Sequence, residues 1–442
     1  LSVKQCHFAG QRVNWILDIP LEARLAALFA VGLLLGAGSN WGIYRLAYRP
    51  RPISPWSPAP PNASRRLSDR LPVIGWLGLR RESASHGPGF WVRPLVLELF
   101  TGTLVAALYW WEIGRLGLLP EDFRAFLDMP NNAGLKREVL ATLHLTFLAH
   151  LCLVPPMIVA SFIDLDEKTI PDAVTIPGTL VALLLAALLP SSLLPVVERL
   201  RNADGLGLAI PRLNFLTFVE PDAWQWGSGR SLALGLGCLW LWCVGLMTRV
   251  WRSRRGWQLA TRLFLTRLVR DPMTKWLVIM GLLGSVPIVL VWRVNDLHWQ
   301  GLLTALVGLA AGGGLVWIVR NLGTLILGRE AMGFGDVTLM AMIGAFLGWQ
   351  SCLVIFFLAP FAGAVIGILQ WMTHRDPEIR YGPFLCLAAL VTIVRWADIW
   401  EKLGPLFALG WLVPATLAGC LVLMGPLLII VRAISDWLRR GK

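Results

Sequence analysis

"GREAMGFGDVTLMAMIGAFLGW", residues 328–349, places one carboxylate, Asp336, at the mouth of a run with almost no polar side chains. If that run lies in a membrane, burying the carboxylate costs several kcal/mol unless something offsets it. One reading makes Asp336 a helix cap, with Gly333 and Gly335 permitting an irregular backbone before it. The other gives Asp336 chemistry to perform.

Composition decides the solvent. The 442 residues are 56% hydrophobic and only 15% charged, with a mean hydropathy of +0.63. Soluble domains carry about 25% charged residues, so the chain is a membrane protein. Apolar stretches long enough to cross a hydrocarbon core of about 30 Å recur along it. They fall at 21–39, 95–112, 141–163, 173–194, 231–248, 276–292, 301–327, 351–372, 382–400 and 405–432, with a shorter piece at 337–349. Polar residues do not alternate along them as a membrane barrel requires. The expected fold is therefore all-α and polytopic, with about 10–11 transmembrane helices. The sequence begins at Leu1, and 25–38 reads as a retained helix rather than a cleavable signal.

The net charge of +13 is uneven. Nine arginines lie between Asn40 and Arg93 against Asp69 and Glu82, and eight basic residues between Arg249 and Lys275 against Asp271. Loops 112–138 and 196–230 are balanced. The positive-inside rule makes the two basic loops cytoplasmic. Counting onward places Asp164, Asp336 and the basic C-terminal tail on that same face, provided 337–349 counts as a crossing. In so apolar a chain the basic loops serve orientation and anionic lipid, and no nucleic-acid partner is expected.

Three inserts stand out: proline-rich 50–62, polar 196–229, and 249–275, which reads as an amphipathic helix on anionic lipid. The seven cysteines form no CxxC and mostly fall inside apolar segments, where they read as small packing residues.

A second group of carboxylates closes the segment 141–163, in "SFIDLDEKTIPDAVTIPG". Asp172 precedes an apolar run and reads as the cap of a helix starting near Ala173. Asp166 and Glu167 read as solvated. Asp164 abuts apolar "ASFI" and is harder to explain as a surface charge. Two carboxylates brought together cannot both ionise, so they share a proton. One then serves as base toward water and the other as acid toward a carbonyl, the chemistry of aspartic proteases.

"FIDLDEKTIPD", "EAMGFGD" and "RYGPFLCLAALV" resemble the signatures of the type IV prepilin peptidases, membrane aspartic proteases of the GxGD type. The resemblance implies that Asp164 and Asp336 are catalytic, with Gly333, Gly335, Asp166, Asp172 and Glu330 in support. More weakly, "GSNWGIYRL" and "VRPLVLELFTG" resemble the family's first helix end and second helix start, placing Glu98 at its acidic position. The implied regions are 1–113, an N-terminal part associated with methyl transfer; 114–195, with the first aspartate; 196–300, an insertion; and 301–442, with the GxGD motif.

Two departures matter. Relatives often carry paired CxxC motifs between their first helices, whereas loop 40–93 has no cysteine, so no zinc is expected and the loop must lean on the membrane domain for order. The two aspartates are also 172 positions apart (336 minus 164), longer than the family leads one to expect. The inserted segments 231–248 and 276–292 add two crossings and so keep both aspartates on one face; they are expected to be peripheral to chemistry.

The resemblance implies prepilin or pseudopilin substrates cleaved at the cytoplasmic face of a bacterial inner membrane, with pilus or secretion machinery and lipid as partners. The peptidase needs no cofactor; N-methylation of the new terminus, with Glu98 as its candidate, would use S-adenosylmethionine. Two rival readings are a proton- or cation-coupled transporter and a catalytically idle assembly subunit. A transporter requires ionisable groups in depth, and segments 141–163 and 301–327 offer few beyond His144, His150, Arg320 and Asn321.

Overall fold

The structure is a computed structural model that describes residues 14–51, 53–57, 59, 64–200, 210–217, 227–247, 266, 270–328, 332–373 and 380–410, and scattered positions from 412 to 426. The apolar segments that it describes fold as helices, as backbone groups without water demand, and the expected segment 405–432 lies partly outside the described residues. In chain order these are α1 (Leu21–Leu46), α2 (Val92–Tyr109, continued by a wider turn to Gly114), α3 (Ala133–Glu167) and α4 (Asp172–Leu188). After a hairpin follow α5 (Gly229–Leu246), α6 (Pro272–Val294), α7 (Asp296–Leu327), α8 (Phe334–Leu347) and α9 (Trp349–Thr373). The last two are α10 (Gly382–Val394) and α11 (Trp396–Phe407).

The chain is thus an all-α polytopic fold, but its helices are uneven. Among the described residues six are long and apolar enough to cross a membrane alone: α1, α2, α3, α5, α6 and α7. Helix α4 and the 14-residue α8 are shorter, and α8 at 1.5 Å per residue reaches only about 21 Å. The segment 382–400 is not one straight crossing either. It breaks at Arg395 into α10 and α11, bent by 90°. The expected count of 10–11 crossings treated every apolar segment alike, while burial among other helices lets a short one remain apolar throughout. Every residue of α8 from Asp336 to Leu347 is buried.

Close packing depends on small residues, because lipid tails give apolar helices little reason to prefer each other. The α7–α8 pair shows this most clearly. A Cβ at Gly308 would stand 2.1 Å from the carbonyl oxygen of Gly344, and one at Gly344 would stand 2.2 Å from that of Gly308. The two backbones therefore touch. On the N-terminal side Gly32 of α1 meets the Cα of Gly102 on α2 in the same way.

The polar insert is not a featureless loop. Its strands β1 (Pro195–Leu200) and β2 (Ile210–Phe215) pair antiparallel, Pro195 opposite Phe215 and Leu200 opposite Ile210. The hairpin seals the bundle end opposite Asp336. Trp396 Nε1 donates to Pro195 O (2.7 Å), Gln350 Nε2 donates to Thr217 O (2.6 Å), and Leu216 packs on Gly348. The segment 249–265, with Arg252, Arg254 and Arg255, and the tail after 426 lie outside the described residues.

Candidate active site

Two helix mouths meet at one end of the bundle. Lys168, in the left-handed region at φ 59°, stops α3, and its N–H donates to the carbonyl of Asp164 (2.9 Å). The turn that follows carries Ile170, which is buried. Gly335 lies flat against it: a Cβ there would come within 2.6 Å of Ile170 Cβ and 3.0 Å of its backbone nitrogen. This close approach sets the start of α8 beside the end of α3, which explains a glycine immediately before Asp336.

Asp164 and Asp336 are each 7% exposed and close enough for the charge of one to act on the other. Asp336 is not the helix cap. Gly333 holds the cap position, and its N–H donates to the Asp336 carboxylate three residues on, half of a capping box. Asp164 accepts the backbone N–H of Gly382, at the start of α10. A Cβ at Gly382 would lie 2.8 Å from Asp164 Oδ2. That oxygen is buried and has no hydrogen-bond partner among the described residues, an acceptor left unmet at the helix mouth. Arg320 of α7 steadies the approach to Asp336, donating from Nε to Met332 O (2.9 Å) with its guanidinium 5.8 Å from the Phe334 ring centroid.

Gly382, Ile170 and Arg320 were not named from sequence as site residues. "YGPF" carried a signal, since Gly-Pro opening an apolar run marks a helix start, but only the fold shows that this start faces Asp164. For Ile170 there was no signal.

The remaining predicted positions divide. Asp172 is the first residue of α4, with Pro171 at the cap position and no side-chain cap bond; the capping role expected of it is not what the structure shows. Proline at the cap position leaves its φ fixed and gives the turn its direction without Asp172's side chain. Asp166 and Glu167 are not simply solvated. Arg93 Nη1 donates to both oxygens of Asp166 (2.9 Å each), and Glu167 accepts the N–H groups of Tyr48 (2.8 Å) and Arg49 (2.9 Å). They tie the N-terminal region to the end of α3. Glu330 lies outside the described residues.

Glu98 is 1% exposed on α2 and holds loop 40–93 in place. Its Oε1 accepts Trp76 Nε1 (2.7 Å) and Asn40 Nδ2 (3.2 Å), and its Oε2 accepts the N–H of Val73 (2.6 Å). Farther along, Arg65 donates to both oxygens of Glu82 (2.9 and 2.8 Å), and Arg81 pairs with Asp69. The Arg65 hydrogen bonds hold Glu82 below the usual carboxylate range. Burial pulls Asp69 upward, but the Arg66 N–H and Arg81 outweigh it and hold it low. The cavity beside Glu98 is only about 10 Å³. S-adenosylmethionine does not fit there in this conformation, and all three donors around Glu98 are committed to the carboxylate.

The histidines at membrane depth have partners. His150 Nδ1 meets Glu112 at 2.7 Å, both side chains about 1% exposed or less, and His144 Nε2 meets the Tyr109 hydroxyl at 2.9 Å. An apolar groove of about 290 Å³ runs between α5, α7 and α8, on the face of α8 that carries Phe334, Val337, Thr338 and Ala341. Trp242 of α5, Gly314 of α7, and Phe334 and Val337 of α8 line it. Helix α5, expected to be peripheral, therefore stands one groove-width from the residues flanking Asp336.

This arrangement defines a class: a multi-pass helical membrane protein with an aspartate pair buried at two converging helix mouths. Residues 264–368 match the type IV leader peptidase family. The match begins inside the stretch 196–300 and contains Asp336, Gly333, Gly335 and Glu330, but not Asp164 or Glu98. Proteins named prepilin leader peptidase/N-methyltransferase are similar to this chain. That of Aeromonas salmonicida (strain A449) is 34% identical over 116 residues, 23% of this chain and 40% of the relative. The one from Legionella pneumophila is 36% identical over 86 residues (19% and 30%), and that of Pseudomonas aeruginosa is 33% identical over 120 (24% and 41%). The chain spans about two fifths or less of the length of these relatives. The resemblance read from the motifs is thus found independently. No solved structure matches.

Proposed function

We propose that this protein is a membrane aspartic endopeptidase that removes the leader of prepilins or pseudopilins, with Asp164 and Asp336 as its catalytic pair. The observation that carries this reading is the convergence of the two carboxylates, 172 positions apart, around an unpartnered Asp164 oxygen. The resemblance to the named relatives supplies the substrate class.

The chemistry follows from the pair sharing one proton. The ionised carboxylate takes a proton from water as the water oxygen bonds to the scissile carbonyl carbon. The protonated partner gives its proton to the carbonyl oxygen. Collapse of the tetrahedral intermediate breaks the C–N bond, and the leaving amine takes a proton from the pair. Gly382 N–H and Gly333 N–H orient the two carboxylates. The apolar groove beside Phe334 and Val337 receives the hydrophobic segment that follows the cleaved bond. Charge distribution supports a cytoplasmic position for this end of the bundle in a bacterial inner membrane. No methyl-transfer step is derived for Glu98, whose carboxylate accepts from Trp76, Asn40 and Val73.

Co-expression with a prepilin-like protein from the same genome, read by mobility shift, tests the proposal. The wild-type chain is expected to shorten the substrate, and Asp164→Asn and Asp336→Asn each to abolish this. The double variant is expected to be no worse than either single one, as for groups acting as a unit. Robust cleavage by either single variant would sink the pair.

A further inference from the structure

A charged cavity lies at the opposite end of the bundle from the aspartates, where α1 begins, α2 ends and α3 begins. It measures about 750 Å³. Five cationic side chains line it: Arg24, Arg115, Arg124, Lys136 and Arg137. Three carboxylates face them, and two of these are taken, Asp128 by Lys136 and Asp18 by Arg137, at 2.7 Å each. Glu121 is the third carboxylate on the wall.

Two of these arginines are incompletely used. The Nε atoms of Arg24 and Arg124 are buried, with no hydrogen-bond partner among the described residues. A buried donor left unmade costs on the order of 1–3 kcal/mol, more when the group is charged. Arg24 is held in place from behind, donating from Nη1 to the Tyr109 hydroxyl (2.8 Å), which in turn meets His144. The cavity wall also contains Leu17, Leu21 and Leu140, so cationic and apolar surfaces meet at the depth where membrane spans end.

We propose that this cavity binds a phosphate-bearing anion through Arg24 and Arg124. Guanidinium groups pair two N–H donors with two phosphate oxygens, the geometry that each of these arginines brings to the cavity it lines. A phospholipid headgroup and a soluble phosphate present the same group. The adjoining leucines give the lipid an added apolar contact.

The test uses the full chain, purified in detergent and stripped of lipid. Retention of phosphatidylglycerol is read by native mass spectrometry after passage through nanodiscs of phosphatidylcholine with or without phosphatidylglycerol. Thermal shift is read on titration with inorganic phosphate. Wild type is expected to retain phosphatidylglycerol or to be stabilised by phosphate, and Arg124→Gln to weaken that response about tenfold or more, with Arg124→Lys intermediate. A response to phosphatidylglycerol alone assigns the headgroup, and one to inorganic phosphate assigns the soluble anion. Arg24→Gln also removes the Tyr109 bond and so a support of the fold; no such bond is seen for Arg124 among the described residues, so its variants decide. Equal retention and equal thermal shift in wild type and Arg124→Gln overturn the proposal.

Discussion

The two ends of the candidate peptidase machinery are held by opposite means. On the Asp336 helix the backbones of α7 and α8 touch at Gly308 and Gly344, toward its far end, and at its start Gly335 rests on Ile170; missing side chains set these approaches. Around Glu98 the spacing is fixed by donors converging on a carboxylate, and the loop beyond is laced by Arg65–Glu82 and Arg81–Asp69. In lipid, apolar surface is not a specific adhesive, so close approach must come from missing side chains. In a loop near water, charge-assisted hydrogen bonds can do the ordering that a metal would otherwise do. The comparison teaches that the region without the relatives' cysteines is not without order.

The largest expected effect comes from filling the glycine contact. Gly344→Val should push α8 off α7 at the Gly308 carbonyl, displace Asp336 and abolish cleavage. The overpacking is expected to lower stability by about 1–3 kcal/mol or more, visible as an early melting transition in detergent. An unaltered melting curve would show that the two helices do not meet there.

Next is the polar region. Glu98→Gln keeps the shape but replaces a charged acceptor of three hydrogen bonds with a neutral amide. Loss of order on the scale of about 1.5–3 kcal/mol is expected for charge-assisted bonds of this kind. Limited proteolysis should then cut loop 64–86 faster, while leader removal continues. Loss of cleavage in step with proteolysis would join the two regions into one mechanical unit.

A smaller effect is expected at the groove. A Cβ at Gly314 would meet nothing within 4 Å, so Gly314→Leu should project into the groove without disturbing α7. The expected outcome is a raised KM for the prepilin-like substrate with kcat largely kept. Unchanged KM would remove the groove from substrate binding.

The smallest effect is a pH dependence. Glu82 is held below its ordinary range by Arg65, so its contribution to loop order is present above the unfolded carboxylate value of about 4.3 and is lost as pH falls through the lower folded value. Hydrogen exchange of residues 64–86 should be steady near neutral pH and rise only below about pH 4. Glu82→Gln should show the faster exchange at neutral pH as well.

Hydropathy alone determined that this chain is a helical membrane protein, because backbone groups in hydrocarbon admit no other reading of long apolar runs without alternation. Two short motifs marked Asp164 and Asp336 as an unusual pair, since a carboxylate against "ASFI" or after "GFG" is costly without a purpose. Local sequence could not reveal which glycines touch which backbone. Gly308, Gly344 and Gly382 gain their meaning from residues tens of positions to more than two hundred positions away. Nor could it show that Asp166 and Glu167 reach back to Arg93, Tyr48 and Arg49, or that α10 turns through 90° into α11. Hydropathy reports what a segment can be dissolved in. Which segments meet, and at what distance, was decided only by tertiary packing, where a single absent Cβ lets two backbones come together.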